Sequence, residues 1–428
     1  MYQIRNTQIL SILERTLNYV DTRLIDHGKR VSYLMYKVLK DEKKYTDKQL
    51  RDICILSTLH DIGAYKTEEI DRMVRFETEE IWEHSIFGYL YMREFSPISY
   101  LSPILMFHHA ECSKLNKLDE SFHEITQLLN IVDRMDVLYQ TGVSKKKDLV
   151  NYLEGYRNIT FCSKYLDYFL EKDVEYPASS YIDGDLEYNN LLNGIPFNND
   201  EIDDYLWMIV FSIDFRSSYT VTHTFLTAFI THLIAEIMNY NGDEIIALKI
   251  AAMLHDIGKS GIPVEIIESP GKLTDEQMDI MKNHVMMTEH ILSGNIDQQI
   301  KDIAIHHHEK LNGKGYPYNL SKSSLDQTEN IVAIADILSS LISKRSYKDA
   351  WPKDKTLCTL EKMAEDGELD SGIVNTVAEN YDDIIKRVKE ESIYVYEKYD
   401  EMMKEYYELL ESVENKDDFI IPGELTEK

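Results

Sequence analysis

No segment of this chain is apolar for long enough to cross a bilayer. A spanning helix needs roughly 18 consecutive apolar residues, and no such run occurs in the 428 residues. The first residues (MYQIRNTQILSILERTL) read as an amphipathic helix without the apolar core or cleavage site of a secretory signal. No membrane contact and a cytoplasmic location are therefore expected. Cysteine is scarce. Cys54, Cys112, Cys162 and Cys358 are scattered with no CxxC pair, which predicts neither a disulfide framework nor a thiolate zinc site. Surplus positive charge is missing too: 46 Lys and Arg stand against 75 Asp and Glu, a formal net charge of -29. That sign argues against a nucleic-acid polymer as partner, and most of the acidity serves solubility. A small phosphate ester stays open as a ligand, because a metal pair and two or three local cations make one cleft positive in an acidic protein. Strand alternation is almost absent. The three- and four-residue spacing of helices dominates instead, so an all-α chain is expected, long enough for two or three domains.

Histidine is where the sequence is rich. Ten of the 14 histidines fall into two sets of seven metal-ligating side chains in the same order. The C-terminal set is His223, His255, Asp256, His284, His307, His308 and Asp336. The N-terminal set, a second candidate metal site, is His27, His60, Asp61, His84, His108, His109 and Asp133. Successive elements are about two dozen to three dozen residues apart, the spacing of ligands on successive helices of a duplicated scaffold. Imidazole with carboxylate is the donor set that borderline divalent metals prefer.

Helical periodicity places these residues. Apolar positions recur at helical spacing over 201–213, 246–256, 275–293 and 328–343, with N-terminal counterparts over 49–61, 79–93 and 124–139. Thr274 with Gln277 forms a capping box ahead of His284. Gly258 and Gly63 follow the two His–Asp pairs and let the backbone turn close to a site. Residues 173–200, rich in Asp, Asn, Gly and Pro, read as a linker. Residues 381–413 read as a long charged helix with Tyr396, Tyr399, Met403, Tyr406, Leu410 and Val413 along one stripe. That stripe is a packing face, with a homodimer seam as its alternative. The expected boundaries are 1–172, a linker 173–200, a second helical bundle 201–380, and a helix and tail 381–428.

An adjacent His–Asp pair lets one carboxylate bridge two metals while the imidazole ligates one of them. Two metals so held supply a nucleophile and clamp the oxygens of an in-line phosphoryl displacement. Asp256 is thus the expected catalytic centre. Lys259, one turn on, is placed to neutralise a phosphate oxygen. Gly313 and Gly315 permit close backbone approach to a ligand, and Tyr316 offers a face for a base.

The motifs HDIGKSGIP (255–263), PGKLT (270–274), KNH (282–284), HHEKLNGKGYP (307–317) and IADILSSL (334–341) resemble the HD-GYP family, a branch of the HD metal-phosphohydrolases, from about residue 205 to about 380. The resemblance implies a bacterial, all-helical enzyme with two or three iron or manganese ions that hydrolyses a cyclic dinucleotide. Cyclic di-GMP, cleaved to pGpG or GMP, is the first expectation, and 3',3'-cyclic GMP-AMP the alternative. It makes the C-terminal seven metal ligands, and Lys259, Gly315, Tyr316, Pro317 and Arg345 substrate contacts. Tyr219 stands where three-metal members carry Glu, which favours two ions. Asn312, Ser339 and Ser346 depart from the usual family residues, away from the ligands, and bear on base preference.

The N-terminal half resembles the degenerate copy of tandem members. It keeps all seven ligand types, but Ala64 replaces the lysine and HHAECSKLNKLDE (108–120) has no GYP loop. A metal-binding or structural module is expected there. His123, His232 and His290 are read as core histidines, His306 as packing against the site, and Asp214 and Ser217 as shaping its mouth or capping a helix. Two other function classes compete. A non-catalytic cyclic-dinucleotide receptor would not need the complete ligand set and Lys259, and a mononucleotide phosphohydrolase would not need the GYP loop.

Overall fold

A computed structural model describes residues 4–20, 25–65, 82–143, 145–176, 179–214, 222–269, 271–343 and 351–414. The fold is all-α: among the described residues no strand forms, and only two isolated bridge pairs occur. The chain divides into two compact units. One is Arg5–Tyr205 joined by the end of the chain from Met402, and the other is built from Leu206–Glu401.

In the first unit the helix His27–Leu39 packs on Asp47–Thr58 and on Glu120–Gln140. The helix Trp82–Phe95 packs on the 3-10 turn Ile62–Tyr65 and on Ser102–Phe107. The second unit repeats this plan. His223–Ile237 packs on Gly242–Leu254 and on Gln327–Ile342, and Asp275–Leu292 packs on the 3-10 turn Ile257–Gly261 and on Gln298–Ile305. Capping boxes start the helices where the sequence calls for them: Thr46 with Gln49, Asn241 with Glu244, Thr274 with Gln277 and Asp326 with Glu329.

One close approach recurs in both units. A Cβ on Gly63 would lie 1.9 Å from the His84 carbonyl oxygen and 2.6 Å from the Gly88 nitrogen. A Cβ on Gly258 would meet the His284 carbonyl at 1.9 Å and the Thr288 nitrogen at 2.6 Å. The turn after each His–Asp pair therefore presses its backbone onto the helix carrying the next histidine, and only glycine permits it.

Four expectations need correcting. Residues 173–200 are not a bare linker but hold helices Ser179–Gly184 and Leu186–Gly194. Their Asp and Asn act as caps and anchors: Asp185 accepts from the Glu187 and Tyr188 amides, and Asn193 Oδ1 accepts from the Thr7 amide and hydroxyl at 3.3 and 3.2 Å. The buried row of the helix Tyr381–Glu414 is Ile384, Val388, Val395, Met402 and Tyr406, while Tyr396 is exposed; the apolar positions run along two adjacent faces, and the neighbouring row is the one covered. Cys112 and Cys162 form a disulfide across 50 residues, because the turn after His109 lies beside the start of the helix Ser163–Glu171. His290 is exposed and His123 and His232 are half-buried, the His123 Nε2 2.8 Å from the Leu118 carbonyl, so none of the three is a core residue.

Gly258→Ala and Gly63→Ala should each lower stability by about 1–3 kcal/mol, read from urea unfolding. Gly155→Ala, where nothing lies within 4 Å of the added carbon, should stay within about 0.5 kcal/mol of wild type. Equal stability for all three would contradict the close approach.

Candidate metal centre

Three of the candidate ligand rings of the second unit are aimed by their own backbone. His255 Nδ1 lies 2.7 Å from the Ala252 carbonyl, His284 Nδ1 2.6 Å from Met281 and His307 Nδ1 2.7 Å from Ala304, each three residues earlier. Donation there fixes the tautomer and turns the Nε2 lone pair inward. His223 Nδ1 is instead 3.1 Å from the Ser339 hydroxyl, which also contacts the Asp336 carbonyl and Thr227 at 2.8 Å.

The inward atoms gather around one carboxylate. Asp256 Oδ2 is 3.1 Å from His255 Nε2 and 3.5 Å from His223 Nε2, while Oδ1 is 3.4 Å from His284 Nε2 and 3.9 Å from His307 Nε2. Asp336 adds a second carboxylate, Oδ1 at 3.1 Å from His223 Nε2 and Oδ2 at 3.9 Å from His308 Nδ1. The ligand atoms form two groups, His223–His255–Asp256 and His284–His307–His308. His255 Nε2 and Asp256 Oδ1 are buried without a hydrogen-bond partner. Orphaned donors of this kind are costly, and an adjacent imidazole and carboxylate facing a shared space fit a pair of divalent ions. Burial raises the Asp256 carboxyl, but His255 and Lys259 outweigh it and hold it well below the usual range.

Of the expected substrate contacts, Lys259 places its ammonium on Asp256 Oδ2. The Tyr316 ring lies 4.7 Å from the His308 ring, centroid to centroid, with Lys282 Nζ 5.7 Å from its centre. A Cβ on Gly315 would meet the Glu309 Cα at 2.4 Å, so the loop folds tightly onto the residue after the ligands. Pro317 follows Tyr316 through a cis peptide. Arg345, Ser346, Ser217, Tyr219 and the Asp214 side chain lie outside the described residues.

Residue types alone did not single out Glu309, Thr288 or Lys282. Glu309 is buried and accepts from the Tyr318 and Leu320 amides at 2.6 and 2.9 Å, pinning the loop. Its signal was a charged residue directly after two ligands, which burial must pair. Thr288 accepts from the Gly258 amide at 3.0 Å and donates to the His255 carbonyl at 3.2 Å. His306 points away from the ligands and pairs with Glu329 at 2.5 Å.

The first unit repeats the arrangement with different support. His60 Nδ1 meets the Ser57 carbonyl at 2.8 Å and His108 Nδ1 the Leu105 carbonyl at 2.6 Å. The ligand atoms again fall into two groups, His27–His60–Asp133 and Asp61–His84–His108–His109. His27 Nδ1 is 2.7 Å from Asp136, where the second unit has Ser339. Asp136 also accepts from Arg30 at 2.7 and 3.0 Å. Burial lowers the His27 pKa, but Asp133 and Asp136 outweigh it and raise it to about 10. Ala64 is buried where the second unit has Lys259.

Comparison with known proteins follows this geometry. Residues 214–373 match the HD domain family. The chain is 22% identical over 89% of its length to the 3'3'-cGAMP-specific phosphodiesterase 1 of Vibrio cholerae, of which it covers 92%. It is 36% identical over 35% of its length to the cyclic di-GMP phosphodiesterase response regulator RpfG of Xanthomonas campestris, of which it spans 40%. The crystal structure of a cyclic GMP-AMP specific phosphodiesterase of V. cholerae (V-cGAP3) superposes with a TM-score of 0.56 at 17% identity, over 89% of this chain and 98% of that one, a likeness of fold. Residues 214–373 thus resemble an HD domain, and the relatives named here are cyclic-dinucleotide phosphodiesterases. Among the described residues no helix is long and apolar enough to cross a membrane.

Burial holds His284 down to about 4, and burial with the neighbouring His284 holds His308 down to about 3. Both rings are neutral donors at neutral pH. In the metal-free protein the unfolded chain takes up these protons near pH ~6.5 and the folded chain only far lower. Their contribution to stability is therefore complete above about pH 6.5 and is lost as the pH falls toward about 4. Urea midpoints of metal-free protein should drop across that window, and His284→Gln should flatten the drop. An unchanged slope in this variant would show that the ring is not held neutral.

Proposed function

We propose that the second unit hydrolyses a 3',3'-cyclic dinucleotide, cyclic di-GMP in the first instance, to pGpG or GMP. The observation that carries this reading is the convergence on Asp256 of two imidazole groups, the Lys259 ammonium and the Tyr316 loop. The ligands would be His223, His255, Asp256, His284, His307, His308 and Asp336, holding two ions, with Fe or Mn as the proposed metals. Such ions, when bound, supply Lewis acidity and a nucleophile at neutral pH.

The chain's own residues do the rest. Lys259 sets a positive charge beside the carboxylate that joins the two ligand groups, where phosphate charge is to be neutralised. Tyr316, braced by His308, offers an aromatic face to a base, and Lys282 adds a cation beside it. Glu309 keeps the loop in place by holding two of its amides, so the ring is positioned before substrate arrives. Ser339 and Thr227 orient His223 through a hydroxyl chain. Arg345 is proposed as a further substrate contact on the strength of its motif position alone.

A second reading has its own support. The relative covered almost throughout its length is named for 3'3'-cGAMP, whereas RpfG, matched over about a third of this chain, is named for cyclic di-GMP. Side-by-side hydrolysis of cyclic di-GMP, 3',3'-cyclic GMP-AMP and cyclic di-AMP by Fe(II)- and Mn(II)-loaded protein separates the two. Cleavage of none of them under either metal would refute the proposed activity.

Asp256→Asn should abolish turnover and reduce bound metal. Lys259→Ala should slow hydrolysis by about 10²–10³ while metal content stays at the wild-type level. Loss of metal from the Lys259→Ala protein would contradict a charge acting on substrate.

A further inference from the structure

The first unit contains ligand types that the proposed hydrolysis does not use, and its two groups of ligand atoms are not equivalent. In the group His27–His60–Asp133 the polar atoms already have partners. His27 donates through Nδ1 to Asp136, and its Nε2 lies 3.3 Å from His60 Nε2 and 3.2 Å from Asp133 Oδ1. In the group Asp61–His84–His108–His109 the opposite holds. Asp61 Oδ1, His108 Nε2 and both ring nitrogens of His109 are buried with no hydrogen-bond partner. Ligand atoms of all four residues lie within 4.8 Å of one another.

We infer that Asp61, His84, His108 and His109 enclose one first-row divalent cation as a closed structural centre. Three imidazoles and one carboxylate match the nitrogen–oxygen donor sets and four-coordination of such centres, which keep no position open for substrate. Three features of the fold agree. The helix Trp82–Phe95 brings His84 against the turn after Asp61 through the Gly63 contact, so the four ligands come from elements already packed together. The His108 and His109 side chains are 0% and 8% exposed, against 27% for His308 in the second unit. Ala64 puts no cation beside the Asp61 carboxylate, whereas Lys259 sits on Asp256. An ion in this group satisfies Asp61 Oδ1, His108 Nε2 and one ring nitrogen of His109 at once, and Ala64 offers a phosphate no charge. The ion ties the turn after His60–Asp61, the helix Trp82–Phe95 and the end of the helix Ser102–Phe107 into one piece, a role in stability independent of the hydrolysis proposed for the other unit.

The test uses the full chain carrying His255→Gln, Asp256→Asn, His284→Gln and His307→Gln, so that both ligand groups of the second unit are disabled. Metal-free protein is titrated with Co(II), following visible d–d absorption, bound cobalt and melting temperature, with far-UV dichroism to check the fold. The expected result is about one tightly held cobalt per chain with the intense bands of a four-coordinate site, and a melting temperature that rises with cobalt. Adding His108→Gln and Asp61→Asn should remove the bands and the rise together. Should these added changes prevent folding, the first protein alone decides, since only a bound ion lifts its melting temperature. No retained cobalt and no rise, or cobalt that survives the added changes in folded protein, overturns the inference. Failure of cyclic-dinucleotide hydrolysis in wild-type protein would leave this result untouched.

Discussion

A buried imidazole can offer one nitrogen to a site only if the other is already satisfied, and both helical units are arranged around that requirement. His60, His108, His255, His284 and His307 each meet it in the same way, with Nδ1 on the carbonyl three residues back. For His60, His108, His255 and His307 the helix end supplies the carbonyl, since the last turn has carbonyls without intrahelical partners, whereas Met281 lies within the helix Asp275–Leu292. One hydrogen bond therefore finishes a helix and aims a ligand. The inward lone pairs can then meet a carboxylate only if the neighbouring helix comes close, which the glycine after each His–Asp pair allows. A repulsive cluster of desolvated donors results, and the tight helix packing around it holds those donors in place.

The two units diverge in what surrounds that shared frame. The second places a lysine, a tyrosine and a loop at the open side, with Glu309 holding the loop's amides. Among the described residues the first has none of these. After His109 its chain enters a short 3-10 turn, Cys112–Lys117, whose first residue is tied to Cys162 by the disulfide. One unit thus has a loop shaped to meet a ligand, and the other a covalent tie in the corresponding stretch. Duplication of a fold carries its packing forward more readily than its function, because function rests on the few residues grafted onto it.

The all-α fold and the gathering of the two histidine sets were legible because they rest on signals that survive in one dimension: three–four periodicity, capping boxes, and a repeated order of scarce histidines. The pairing of His306 with Glu329, and of Thr288 with the Gly258 amide, was not legible. Those contacts join residues 23 and 30 positions apart through packing angles that no local pattern encodes. The segment 173–200 misled for a physical reason. Asp and Asn favour turns and helix caps by the same side-chain hydrogen bonds, so a stretch with two short helices, one of them capped by Asp185, has the composition of a loop. The disulfide was missed because Cys112 and Cys162 carry no spacing motif and meet only once the fold brings them together.

The exchange of Asp136 for Ser339 behind the first histidine shows how little is needed to set the two units apart. In the first unit Asp136, itself held by Arg30, draws a proton onto His27, whose pKa is raised to about 10 once Asp133 and Asp136 outweigh its burial. A protonated imidazole has no lone pair and cannot be a ligand. In the second unit the partner is the Ser339 hydroxyl, which either accepts from Nδ1 or donates to it and adds no charge. That hydroxyl leaves the other nitrogen of His223 facing Asp336 and Asp256. A carboxylate behind a ligating imidazole also makes it the more basic ligand, whereas a hydroxyl leaves more of the positive charge on the ion for a phosphate to meet. The same helix pair, with one residue changed three positions after the last carboxylate, can thus hold either an ion pair or a ligand.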